Sequence, residues 1–128
     1  MENIREIFYD VNEEQRCAII NLLLGVSGYE REHTIEQMNY LNQQVDILEV
    51  SSQKSMYYLK KDGANGIIRN LRILDDSQKR IAVLMLWKIT TLHGKPSKNL
   101  AMHMFQMLQE IGVSPEFLNE TLANSKMF

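Results

Sequence analysis

Two stretches of this chain are apolar on almost every side: Cys17-Ala-Ile-Ile-Asn-Leu-Leu-Leu-Gly-Val26, and Ile81-Ala-Val-Leu-Met-Leu-Trp87 continuing to Ile89 and Leu92. A surface helix carries one apolar stripe, so uniformly apolar segments predict helices surrounded by others. Asn12 and Gln15 form a capping box before the first stretch, whose helix is expected to end near Ser27–Gly28. Thr34 and Gln37 repeat the signal. Ile35, Met38, Leu41, Val45 and Leu48 then recur at spacings of three and four, which predicts an amphipathic helix with Glu36, Asn39, Gln43 and Gln44 outside.

Ser51 or Ser52 caps a third helix carrying Met56 and Leu59 with one or both of Tyr57 and Tyr58. Asp62-Gly63 is expected to stop it, Asn65-Gly66 adds a second breaker, and Ile67, Ile68, Leu71 and Leu74 suggest a short fourth helix. Asp75-Asp76-Ser77 opens the second apolar helix, with anionic charge where the helix dipole favours it, and His93-Gly94-Lys95-Pro96 breaks it. Ser97 caps a sixth helix with Leu100, Met104, Met107, Leu108 and Ile111 inside. After Gly112, Ser114-Pro115 opens a seventh as N-cap and N1, and Phe117, Leu118 and Leu122 dock it on the core. No run alternates as a strand does. The pattern predicts an all-α bundle of six or seven helices: two pseudo-repeated helical hairpins around two central apolar helices.

With 128 residues, the chain reads as one domain, residues 1–128, with its core over roughly 13–122. Apolar residues make up 45% and charged residues 23%, which disfavours disorder. A net charge of −2 argues against a nucleic-acid surface, which is built from a cationic excess. The single cysteine, Cys17, lies in an apolar run and reads as a buried thiol in a reducing compartment. Charged residues interrupt the first ten positions, so no signal peptide is expected, and no apolar run approaches the roughly 20 residues of a membrane span. A cytoplasmic location is expected.

The two halves echo one another. Leu22-Leu-Leu-Gly-Val-Ser-Gly28 lies over Lys88-Ile-Thr-Thr-Leu-His-Gly94 at an offset of 66 residues. This layout, with Asp76-Ser-Gln-Lys-Arg-Ile-Ala-Val-Leu-Met-Leu86 and the ending Glu110-Ile-Gly-Val-Ser-Pro115, resembles the TerB-like (tellurite-resistance protein B-like) family from about Glu13 to Leu122. The resemblance implies two helical halves in one compact bundle and a stress-related interaction or sensing role. Where that family carries Asp before the turn glycine, this chain has Ser27 and His93, and the glutamate expected early in the next helix is missing. The family's acidic, metal-type cluster is therefore not carried over, because hard cations need several oxygen ligands together.

No nucleophile–base motif and no phosphate-binding glycine loop occurs, so an enzyme is the least favoured class. The expected function is that of a non-enzymatic module binding a protein partner, without a cofactor. A homodimer is compatible with the eight methionines and the aromatic content. The expected site is the end where the two turns meet: Ser27, Gly28, Tyr29, Glu30, Glu32, His33, His93, Gly94 and Lys95. Helix termini there leave backbone groups for a ligand. The alternative is a metal- or small-ligand-binding stress protein using Glu32 or Glu30 with His33 and His93; the blander reading leaves His33 on the surface, His93 filling a turn and His103 on the outer face of its helix. Met102, if exposed, points to a partner surface, as do Tyr9, Tyr29 and Phe128.

Overall fold

The computed structural model describes residues 4–125. Among them the chain forms seven helices and no strand: α1 (Ile4–Ile7), α2 (Glu13–Ser27), α3 (Ile35–Ile47), α4 (Ser52–Arg72), α5 (Asp76–Thr90), α6 (Lys98–Glu110) and α7 (Pro115–Ala123). Each helix from α2 onward starts at a side-chain cap. Asn12, Thr34 and Asp75 make full capping boxes with Gln15, Gln37 and Gln78, while Ser51, Ser97 and Ser114 accept from the third residue of their helices. These caps satisfy backbone donors that a helix start otherwise leaves unpaired.

Helix α2 is the centre of the molecule. Cys17, Ile19, Leu22, Leu23 and Val26 are almost wholly buried, and α2 packs most extensively on α4, then on α5, α3 and α6. The second apolar helix, α5, contributes Val83, Met85, Leu86 and Ile89 to the same core and also meets α7, α1 and α3. Asn21, buried between α2 and α4, donates to the Ser55 carbonyl at 2.9 Å, so the one amide in the apolar stretch Cys17–Val26 has a partner.

The caps recur at one spacing. Asn12 and Asp75, Thr34 and Ser97, and Ser51 and Ser114 are each 63 residues apart. Helices α2 and α5 both have 15 residues, and α3 and α6 both have 13. The same interval separates the C-caps Leu48 and Ile111, and the residues after them, Glu49 and Gly112, both take a left-handed backbone (φ 56° and 91°). The register is therefore 63 rather than 66: Thr91, not Gly94, holds in α5 the C-cap place that Gly28 holds in α2. The echo stops at α4, 21 residues long against nine in α7.

Four other expectations change. The helix breaks at Gly63 (φ 62°, ψ −154°), where a stop was expected, but α4 resumes at once, and Asn65-Gly66 adds no second break. Helix α5 ends at Thr90, short of Leu92. In α3, Ile35 is 78% exposed and Met38 also faces solvent, whereas Gln44, expected outside, is buried with Gln37. Gln37 turns in because its amide donates to the Ile89 carbonyl on α5, a tertiary bond that outweighs the apolar pattern. In α4, Met56 and Tyr57 are exposed, leaving Tyr58 and Leu59 half-buried.

Candidate functional site

The turn after α2 and the turn after α5 lie side by side, and between them opens a cleft of about 430 Å³. Its lining draws on both: Ser27, Glu30, Arg31 and Gln37 from the first half, and Thr90, His93, Gly94, Lys95, Pro96, Ser97 and Leu100 from the second. At the 63-residue spacing several of these are counterparts, namely Ser27 with Thr90, Glu30 with His93, Arg31 with Gly94, and Gln37 with Leu100. The cleft thus lies where the two series of helices meet.

Hydrogen bonds tie the two turns together across the cleft. Thr34, the cap of α3, bonds His93 Nε2 at 2.8 Å, and Glu36 lies 3.7 Å from the same nitrogen. Ser97, the cap of α6, donates to the Glu30 carboxylate, which places an anion at the start of α6 where the helix dipole favours one. Both cap hydroxyls accept from the backbone of their own helix as well. One wall of the cleft is thereby prearranged by the local chemistry of helix starts.

The floor is polar but satisfied. Ser27 and Thr90, both buried, share their hydroxyl protons between carbonyls one turn back, and Gln37 accepts from Thr34 N while donating to Ile89 O. At the rim stand Arg31 and Lys95, both exposed. Neither has an ion-pair or hydrogen-bond partner among the described residues.

Of the expected site residues, Ser27, Glu30, His93, Gly94 and Lys95 line the cleft, whereas Gly28, Tyr29, Glu32 and His33 do not. His33 folds back onto α2, with Nε2 3.0 Å from both Leu24 O and Ser27 Oγ. A carbonyl only accepts, so the proton sits on Nε2. The ring packs closely on Gly28: a methyl group there would come within 2.7 Å of His33 Cε1 and displace it. His33 and His93 therefore point to different partners, and Glu32 is exposed. Among the described residues no three His, Cys, Asp or Glu side chains come together as a metal ion would need.

Tyr29 stacks on His103 of α6, with ring centroids 3.9 Å apart and planes within 10°. The stack leaves His103 half-buried on α6. Met102 and Tyr9 are exposed, while Phe128 lies outside the described residues. Sequence reasoning missed Arg31, Gln37, Thr90 and Ser97 as cleft residues, and Thr34 as the partner of His93. The signal was present in the two caps, because a cap fixes where a helix starts and hence which end faces a neighbouring turn.

The groups with displaced pKa values lie elsewhere. Burial pushes the Cys17 thiol up, which disfavours the thiolate that nucleophilic chemistry needs. Burial also raises Tyr40 to about 12. Neither lines the cleft. No helix among the described residues is long and apolar enough to cross a membrane. Comparison with protein-family models, with curated proteins and with solved structures returns no match.

Proposed function

We propose that this chain is a non-enzymatic, intracellular binding module of TerB-like type, and that the cleft between its two turns receives an anionic group of a protein partner. One observation carries the reading: Arg31 and Lys95 flank a prearranged polar cleft without a counter-ion among the described residues, in a chain whose net charge is −2. A guanidinium and an ammonium facing one concavity suit a carboxylate or a phosphate. The TerB-like frame is supported by the recurrence of caps and helix lengths at 63 residues and by the packing of α6 on α2 and α3 on α5.

A thermal-shift series at constant ionic strength, with chloride replaced by phosphate, citrate or acetate, tests the site. Binding to the folded state raises Tm by mass action. The rise is expected in wild type and is expected to vanish in the Arg31→Ala/Lys95→Ala double variant. Equal shifts in the two proteins reduce the effect to general anion stabilisation and overturn the reading.

A further inference from the structure

Beside the polar cleft, and sharing Gly94, Lys95 and Pro96 with it, a wider groove of about 770 Å³ runs between α5 and α6. Trp87, Pro96, Ala101 and Phe105 form its apolar walls, while Lys95 and Lys98 belong to its rim and no acidic residue lines it. Phe105 is 43% exposed. Beyond that ring the surface dips again into a pocket of about 330 Å³, between α6 and the start of α7, floored by Leu108, Val113 and Leu118. Met102, three residues before Phe105 on the same helix, is 53% exposed.

Helix α6 was expected to turn one apolar face inward, and Met104 and Leu108 do so. Ala101, Met102 and Phe105 are a second apolar set, and nothing in the chain's own core uses Met102 or Phe105. From Lys98 to Gln109 the strip is about 16 Å long, room for about five extended residues or three turns of helix. Two features define what fits. The walls call for large apolar side chains, with an exposed aromatic as the anchor. The rim is cationic in a chain that is acidic overall, which selects for acidic residues beside those anchors.

We propose that the α5–α6 groove docks a short polypeptide segment that carries Leu, Met or aromatic side chains next to Asp or Glu. The apolar side chains pack on Trp87 and Phe105, and the carboxylates meet Lys95 and Lys98. The groove stands without the anion cleft, and rests on that reading only for which end of the segment points toward Arg31.

Trp87 is the chain's one tryptophan, so its fluorescence reports occupancy directly. Selection of a random 12-residue phage-displayed peptide library on the wild-type protein, followed by titration of the recovered peptides against Trp87 emission, tests the proposal. The expected result is a consensus pairing apolar anchors with Asp or Glu. Its affinity is expected to drop about tenfold in Phe105→Ala and several-fold in Lys95→Gln/Lys98→Gln, with the latter loss masked at high salt. Enrichment of basic peptides, no enrichment, or binding indifferent to Phe105→Ala overturns it. So does concentration-dependent dimerisation of the wild type that Phe105→Ala abolishes, because a second copy then fills the groove. Phe105→Ala is expected to keep its anion-dependent Tm rise, and Arg31→Ala its groove binding, so that failure of one site is distinguishable from failure of the other.

Discussion

Ser27 and Thr90, 63 residues apart, hold the same place in their helices and form the same hydrogen bonds to the carbonyls of their own helix. Ser27 Oγ shares its proton between Leu23 O and Leu24 O, and Thr90 Oγ1 shares its own between Leu86 O and Trp87 O, at 2.9 and 3.1 Å. A buried hydroxyl answered by its own helix needs no partner from elsewhere. Two such residues at the ends of the two central helices make a polar floor out of otherwise apolar elements.

The two glycines near the end of α2 are expected to respond oppositely to alanine. A methyl at Gly25 meets no atom within 4 Å and the backbone is helical, so Gly25→Ala should gain about 0.5–1 kcal/mol. At Gly28 the methyl would displace the His33 ring and crowd Leu24 O at 3.1 Å, so Gly28→Ala should lose about 1–3 kcal/mol. Urea melts of the two variants decide it. A Gly28→Ala protein as stable as wild type would show that His33 does not pack on this turn.

Arg16 fastens the end of α3 to the start of α2. Its guanidinium donates to Val11 O at 3.1 Å, to Leu48 O at 2.6 Å and to Glu49 O at 3.2 Å. Hydrogen bonds from a charged donor are worth about 1.5–3 kcal/mol. Arg16→Ala is expected to lose about that much in chemical denaturation, and Arg16→Lys most of it, because an ammonium cannot reproduce the forked geometry. Full stability of Arg16→Lys would reduce the contact to simple charge.

Tyr40 gives the fold a defined alkaline limit. Burial raises its phenol to about 12, against about 10 in an unfolded chain. Below pH 10 both states keep the proton and the stabilisation is complete. As pH rises from about 10 toward 12 the unfolded chain loses its proton first, so stability falls over that window. Tyr40→Phe should flatten this limb of the stability curve. An unchanged limb would assign the loss to other groups.

Thr121 of α7 is buried, and its hydroxyl finds no hydrogen-bond partner among the described residues. Replacing it with a methyl of similar shape removes the desolvation cost of an unpaired group, about 1–3 kcal/mol. Thr121→Val is expected to raise Tm by a few degrees. A lower Tm would reveal a partner for the hydroxyl.

What could be read from the sequence was local. Asn12 with Gln15, Thr34 with Gln37, Ser97, and Ser114-Pro115 announce helix starts because a cap involves neighbours three residues apart, and all four stand in the structure as read. The two apolar helices likewise declared their burial. What escaped was whatever depends on a second element. Gln37 turned inward for a carbonyl on α5, and Ile35 was left in water as α3 rotated to suit. The break at Gly63 was legible, but Asn65-Gly66 stays helical because Ile67 and Leu71 just beyond it bury themselves in the core. Half of the site was legible as two adjoining turns. Arg31, Thr90 and Ser97 became visible only once Thr34 met His93 and Ser97 met Glu30.

Helix α2 touches α3 and α4 from its own half and α5 and α6 from the other. A fragment ending before α5 would leave that helix uncovered on the sides the second half now shields, and a fragment starting at α5 would lack the element its own helices close upon. Neither piece has a complete interior. The protein should therefore melt in one all-or-none step, and the cleft should persist or vanish together with everything else.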